Sequence, residues 1–120
     1  MSKQAEFAAK AFSMVTLAHQ EHFRAGSYAA HIALEKLYEA LPDLIDSFVE
    51  HYQGLYGKIP AYPAPWTPGS KDIIAVIQLL VDWIAENRAA ITTKNVTLEN
   101  DIADILGELY RALYRLKELK

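Results

Sequence analysis

A proline-rich segment in the middle of the chain sets the strongest limit on its fold. Residues 53–70, QGLYGKIPAYPAPWTPGS, contain four of the five prolines and three of the five glycines. Neither a helix nor a regular strand fits that density of proline and glycine. On both sides of the segment apolar residues recur with helical spacing, so the sequence predicts helices before and after one long irregular connection. Three aromatic side chains, Tyr56, Tyr62 and Trp66, give this connection apolar area with which to pack on the helices.

The flanking patterns predict four helices. The first (α1) covers residues 3–23, the second (α2) 28–52, the third (α3) follows Ser70 and ends near Ala90, and the fourth (α4) runs from Thr97 to the lysine-rich end. Pro42 falls inside α2; the apolar pattern keeps its phase across it and favours a continuous helix, although a proline can also open a new helical piece. Ser27, Ser70 and Thr97 are the predicted N-caps. The prediction is an all-α, single-domain four-helix bundle over residues 1–120, with a proline-rich crossover between α2 and α3.

Composition excludes several classes of protein. A hydrophobic content of 52% with 22% charged residues is typical of a globular chain. The net charge of −3 gives no general attraction to nucleic acid. There is no cysteine, so disulfides and thiolate metal sites are excluded. The N-terminus does not resemble a signal peptide, and the longest apolar run is too short for a bilayer. We therefore expect a cytoplasmic protein without nucleic-acid or membrane partners.

Residues 19–52 concentrate side chains that can bind metal. All four histidines of the chain lie there, together with two carboxylate pairs. On a helical wheel of α2, with His31 at zero, Glu35 lies at about 40°, Asp46 at about 60° and Glu50 at about 100°. These residues share one face, but Glu35 and Asp46 are roughly 16 Å apart along the axis. One copy of α2 cannot close both pairs on one metal, whereas two copies packed antiparallel about a two-fold axis can form two equivalent sites.

The ligand types favour particular metals. Imidazole with carboxylate suits iron, manganese or zinc, and carboxylate-rich helical sites suit dinuclear iron. A di-iron site inside one bundle normally uses Glu-x-x-His motifs on two helices. The chain has no such motif, and α3 and α4 contain no histidine. The acidic residues of those two helices are therefore expected to be capping or solvated: Asp72, Asp82, Glu86, Asp101, Asp104 and Glu108.

At these residues the sequence resembles Dps-type mini-ferritins. That family's intersubunit ferroxidase centre uses a histidine late in the first helix, then His-x-x-x-Asp/Glu and Asp-x-x-x-Glu on the second. The residues that match in order are His19, His31, Glu35, Asp46 and Glu50, and His22 competes with His19 for the first position. The stretch SYAAHIALEKLYEALPDLIDSFVEHYQG also resembles short ferritin-like proteins encoded by tailed bacteriophages, for which the location is the host cytoplasm.

The resemblance implies a ferritin-like bundle that pairs with itself through α1 and α2, as a homodimer or within a larger shell. The histidine half of each site would come from one chain and the Asp46/Glu50 half from the other. It implies bound iron, with zinc or manganese as alternatives, and oxidation of Fe(II) by peroxide or dioxygen. The lysine-rich tail through which some members bind DNA is absent. Two other functions stay open: a non-enzymatic interaction protein that uses its surface or residues 53–70, and a structural zinc-bridged dimer.

Overall fold

The computed structural model describes residues 1–70 and 72–119, and within these ranges the chain is all-α, with four helices and no strand. The predicted four-helix bundle is therefore confirmed in the number and order of its helices. The helices are α1 Lys3–Arg24, α2 Tyr28–Tyr56, α3 Ile73–Thr92 and α4 Val96–Glu118. None of them has the length and apolar character that a bilayer span requires.

Each helix packs on two others. α1 contacts α2 and α3, and α4 contacts the same two helices, so α1 and α4 lie diagonally opposite each other. Their apolar faces meet in one core, where Phe7 packs edge-on against Phe48 with ring centroids 5.0 Å apart. Burial of a Leu, Ile or Phe side chain stabilises a fold by about 1.5–3 kcal/mol. The largest fully buried side chains come from all four helices: Phe7, Phe48, Met14, Leu34, Leu37, Leu41, Ile45, Ile77, Leu80, Ile84, Ile91 and Leu98.

The second helix is longer than its sequence pattern indicates. It continues through Pro42, as the unbroken apolar phase predicts. It then includes residues 53–56, so the expectation that no part of 53–70 is helical is wrong for this last turn. The helix ends at Gly57, whose φ of 95° lies in the region that favours glycine.

Capping residues were predicted correctly for one helix and incorrectly for two. Ser27 caps α2 as expected. Asp72 rather than Ser70 caps α3, and Asn95 rather than Thr97 caps α4. Ser70 instead accepts a hydrogen bond from the Asp72 N–H at 3.1 Å. Both observed caps carry a short side-chain oxygen that accepts from the backbone N–H two residues further along the chain.

The connection between α2 and α3 lies along α1. The Trp66 N–H donates to Ser13 Oγ of α1 at 2.8 Å, and the Lys10 ammonium lies 4.8 Å from the centroid of the Trp66 ring. Closer to α2, Ile59 is buried and its N–H donates to Gln53 Oε1 at 3.0 Å. The connection is therefore attached to the bundle at two points.

Contacts at the ends of the helices show their directions. Near the start of α1, Gln4 Nε2 donates to the carbonyls of Ala90 and Ile91 at the end of α3, at 2.8 and 2.9 Å. At the end of α2, the Tyr56 hydroxyl hydrogen-bonds to that of Thr93 at 2.8 Å. The ends of α2 and α3 and the start of α1 therefore lie together, and the turn between α1 and α2 lies at the opposite end of the bundle.

Candidate metal centre

The short turn between α1 and α2 brings two histidines into contact. His22 lies in the last turn of α1 and His31 in the first turn of α2, and only the three residues 25–27 separate the two helices. Their imidazole rings stack with centroids 3.6 Å apart and an interplanar angle of 27°. The apolar stripe of α1 continues into both of its histidines, which predicts that His19 and His22 point to the buried side; His22 does, and is only 6% exposed.

The two histidines hold each other through reciprocal hydrogen bonds. His22 Nδ1 lies 2.9 Å from the carbonyl oxygen of His31, and His31 Nδ1 lies 3.1 Å from the carbonyl oxygen of His22. Because a carbonyl only accepts, each Nδ1 carries the proton and donates it. In a neutral ring the lone pair is then on Nε2. Metal-binding histidines commonly donate their other ring N–H to a backbone carbonyl or carboxylate in this way, which fixes both tautomer and ring orientation.

Glu35 completes a group of three possible ligands. It follows His31 by one helical turn on α2 and is half-buried. One ligand atom from each of His22, His31 and Glu35 can be chosen so that all three lie within 4.8 Å of one another. Two imidazoles and one carboxylate form a donor set that binds zinc in hydrolases and iron(II) in non-haem oxygenases. All three residues belong to a single chain, so this group does not depend on a second copy.

His19 lies beside this group rather than in it. Its side chain is exposed, in contrast to the expectation that both histidines of α1 point to the buried side. The His19 ring stacks on Tyr38 at 4.1 Å with an angle of 14°, and its centroid is 6.1 Å from that of His22. Three residues along α1 leave the two side chains about 60° apart around the helix and roughly 4.5 Å apart along its axis, so His19 and His22 are neighbours at different heights on the helix. Of the two candidates for the α1 ligand, the structure brings His22 close to His31 and Glu35.

Tyr38 forms an aromatic wall next to the three ligands. Its ring meets that of His22 edge-on, with centroids 5.3 Å apart. Desolvation by burial, followed by the negative charges of Glu35 and Glu39, raises the pKa of the Tyr38 phenol above its ordinary value of 10.0. The phenol is therefore neutral at physiological pH, and it contributes no negative charge to the site.

The second carboxylate pair is far from the first within one chain. Asp46 and Glu50 lie 11 and 15 residues after Glu35 on the same helix, which places them roughly 16 and 22 Å further along its axis. Both side chains are exposed. They do not join His22, His31 and Glu35 inside the chain, as the distance argument from the sequence predicts.

The structure contains a hydrogen-bonded pair of side chains, His51 and Asp101, that the sequence pattern does not predict. His51 Nδ1 donates to Asp101 Oδ2 at 2.7 Å, and the Asp101 side chain is only 11% exposed. The expectation that Asp101 is capping or solvated is therefore wrong. The two residues are 50 positions apart on different helices, so only the relative register of α2 and α4 could have identified the pair.

Comparison with known proteins gives two matches. The family of unknown function DUF5856 matches residues 22–116, which include His22, His31, Glu35 and the whole of α2 and α3. An uncharacterized 14.6 kDa protein from the mobD-ri intergenic region of Enterobacteria phage T4 is 33% identical over 101 residues, covering 82% of this chain and 75% of the phage protein. The phage relationship agrees with the resemblance of α2 to phage sequences. No solved structure matches the chain.

Proposed function

Since the chain belongs to the DUF5856 family, whose function is unknown, we propose a function from the geometry of the site: the protein binds a divalent transition metal through His22, His31 and Glu35. Iron is the first candidate, with zinc and manganese as alternatives, because two imidazoles and one carboxylate suit all three. The observation that carries this proposal is the pair of reciprocal hydrogen bonds, which occupies Nδ1 of both histidines and leaves Nε2 free for a metal, in a group of three residues that includes Glu35.

Burial supports the proposal as well. His22 is buried and His31 and Glu35 are half-buried, so the two imidazoles and the carboxylate have lost part of their hydration, and a bound cation compensates that loss. Aromatic rings contact the two histidines: Tyr38 and Phe23 meet His22 edge-on at 5.3 and 5.2 Å, and Tyr28 lies over His31 at 6.5 Å, although Phe23 and Tyr28 are themselves largely exposed. The ligands are held by two helices rather than by loops, which favours a preorganised site.

A more specific form of the proposal is that the protein pairs as ferritin-like proteins do and oxidises iron. One long connection between two antiparallel helix pairs is the arrangement of ferritin-like bundles. In a pair of chains related by a two-fold axis, Asp46 and Glu50 of the second copy would supply carboxylates to the three ligands of the first and so bind a second metal. Fe(II) is then the substrate; each ion gives one electron to peroxide or dioxygen, and the protein's residues provide position and negative charge.

A structural metal is the second candidate. All three ligands come from the α1–α2 hairpin, where the two histidines already link the helix ends. A zinc ion there would tighten that hairpin without any redox chemistry, because zinc has a single stable oxidation state.

The test compares two isosteric substitutions on α2. Glu35→Gln removes a ligand charge without changing the shape of the side chain, and Glu39→Gln makes the same change at an exposed residue one turn further on. Titration calorimetry with Fe(II) under nitrogen, and with Zn(II) and Mn(II), is expected to show at least one binding event per chain, weakened at least about tenfold by Glu35→Gln and unchanged by Glu39→Gln.

The outcomes separate the functions. Binding of Fe(II) followed by peroxide-dependent formation of Fe(III), measured by absorbance, supports the iron-oxidising role. Zinc binding without iron oxidation supports the structural role. If the unaltered protein binds none of the three metals, or if Glu35→Gln binds them as tightly, the metal proposal is wrong and an interaction protein becomes the better hypothesis.

A further inference from the structure

A groove between α2 and α4 lies beside the proposed metal site and is lined in part by Tyr28, whose ring lies over His31. It is formed where α2 begins and α4 ends, and encloses a cavity of about 260 Å³ lined by Tyr28, Ala29, Ile32, Lys36, Arg115 and Leu119. A second cavity of about 360 Å³ also includes Lys36 and Arg115, so the two cavities adjoin at these residues. The groove therefore continues along both helices.

The first cavity has an apolar floor and apolar walls. Ala29 and Ile32 are half-buried at its base, and the Leu119 side chain is 46% exposed at its edge. Tyr28, at 79% exposure, stands beside them as one of the most exposed aromatic residues in the described chain. An exposed apolar surface of this kind, next to a few polar groups, is the usual composition of a small-molecule site.

Two cations lie where the cavities meet. Within the described residues, neither Lys36 nor Arg115 makes an ion pair, whereas the neighbouring Arg111 bonds to Glu108 at 2.7 Å. Arg115 is half-buried, so its charge is less screened by water than that of a fully exposed side chain. The groove thus combines an apolar chamber with two cations at one end, beyond which the second cavity is lined by Glu39 and Glu108 as well as Arg111.

We propose that this groove binds a small anionic amphiphile, with a short aliphatic chain in the apolar cavity and a carboxylate between Lys36 and Arg115. The complementarity has two parts. The aliphatic chain covers Ile32 and Leu119, and the anion pairs with two cations that make no ion pair among residues 1–70 and 72–119. Cavities for drug-sized ligands begin at about 300 Å³, so the apolar chamber suits a short chain and excludes bulky ligands. None of the three proposed metal ligands lines the groove, so this proposal does not rest on the proposed metal function.

The test uses octanoate as the probe, with octanol as its uncharged counterpart. Heteronuclear NMR titration of the full chain is expected to show saturable one-to-one octanoate binding, with shift changes at residues 28–36 and 111–119 and much weaker binding of octanol. Replacing both cations, in Lys36→Gln/Arg115→Gln, is expected to weaken binding about tenfold, as the loss of two partly exposed charge contacts implies.

Two further variants make the test specific. Lys58→Gln/Lys94→Gln removes the same charge from exposed positions elsewhere and is expected to bind octanoate normally. Ala29→Leu leaves both cations in place but fills the apolar chamber, and is expected to weaken binding too. Circular dichroism checks that each variant keeps its helices.

Several results would overturn the proposal. These are the absence of saturable octanoate binding, equal binding of octanol, shift changes confined to other residues, or equal weakening by the control pair. Association with phosphatidylglycerol vesicles without octanoate binding would also overturn it, because the surface would then be a membrane contact rather than a ligand site.

Discussion

His22 and His31 each serve two purposes through different ring atoms. The Nδ1–H of each ring bonds the other residue's backbone, and Nε2 is left for a ligand. The carbonyl of His22 is in the last turn of α1, where it accepts from the Ala25 N–H at 3.5 Å, and the His31 ring adds a second, shorter hydrogen bond to this helix end. The hydrogen bonds that join α1 and α2 therefore also determine that Nε2 is the ring atom of each histidine that can bind a metal.

Metal affinity is expected to fall as the pH is lowered, because protons compete with the metal for Nε2 of His22 and His31. Metal binding requires neutral imidazoles and an ionised carboxylate. Affinity for Zn(II) or Fe(II) should therefore decrease steeply between pH 7 and about pH 5, the range in which histidines typically titrate. Titration calorimetry at several pH values measures this decrease and the protons released. A flat profile over that range would mean that the metal is held by carboxylates alone.

At the scale of elements, the turn between α3 and α4 is held by one carboxylate. Glu99 Oε1 accepts from the buried Thr92 hydroxyl and its Oε2 from Arg88 Nε, both at 2.7 Å. Thr93 and Lys94 have φ values of 55° and 62°, so the turn uses a left-handed conformation that side chains rarely adopt. The Glu99 contacts compensate part of that cost.

Replacing this carboxylate is expected to destabilise the bundle in a pH-dependent way. The hydrogen bonds from Thr92 and then Arg88 lower the pKa of Glu99 below its ordinary value of 4.5. Its contribution is therefore complete above pH 4.5 and is lost as pH falls through the lowered value. Because these side chains are about one-third exposed, Glu99→Gln should cost only about 0.5–1 kcal/mol at pH 7.

Urea unfolding at pH 7 and at pH 3 measures this effect. The difference between the unaltered protein and Glu99→Gln should be present at pH 7 and shrink at pH 3. Glu118→Gln, an exposed change near the end of the same helix, is the control and should have no effect at either pH. A difference that persists unchanged at pH 3 would contradict the role of the ionised carboxylate.

The helices were predictable because their signals are local. The periodicity of apolar residues predicted all four helices, and it also predicted that α2 continues through Pro42. The caps of α3 and α4 were less predictable, since Ser70 and Asp72, or Asn95 and Thr97, are all good capping residues two positions apart. The choice depends on how the connecting chain enters each helix, which the sequence pattern does not describe.

The site was predictable only in part, for a related reason. The spacing of His31 and Glu35 places them one turn apart on any helix. The third proposed metal ligand depends on the path of the turn after α1, because that path places His22 rather than His19 next to His31. The contact between His51 and Asp101 depends on the register of two helices and was not predictable from either one.

At the scale of the whole molecule, the proposed assembly makes metal binding and pairing interdependent. If Asp46 of a second copy completes the site, metal stabilises the pair more than the single chain. At a metal concentration one hundred times Kd, mass action adds about 2.7 kcal/mol, a rise in Tm of roughly 10 °C for a domain of this size. Asp46→Ala should remove most of this rise and leave helical content unchanged, because the exposed Asp46 side chain is not part of the core.

Glu86→Ala on α3 is the matched control and should keep the full metal-dependent rise. Analytical ultracentrifugation with and without metal reports the pairing directly. Should Asp46→Ala keep both the rise in Tm and the dimer, the second copy contributes nothing to the site. The three residues of one chain would then be the complete protein contribution.

The position of Lys10 determines what the protein's fluorescence can reveal. Its ammonium lies 4.8 Å from the ring of Trp66 and 5.1 Å from that of Trp83, and these are the only two tryptophans in the chain. Tryptophan emission therefore reports on one region of the molecule, where the proline-rich connection meets α1 and α3. Lys10, at the centre of this region, is roughly 18 Å along α1 from His22. Trp66 belongs to the connection and Trp83 to α3, so a denaturation curve measured by emission follows the loss of contact between the connection and the bundle. Far-ultraviolet dichroism follows the helices themselves. Coincident curves would mean that the connection and the bundle unfold as a single cooperative unit; separate curves would mean that the connection detaches first and leaves the helices folded.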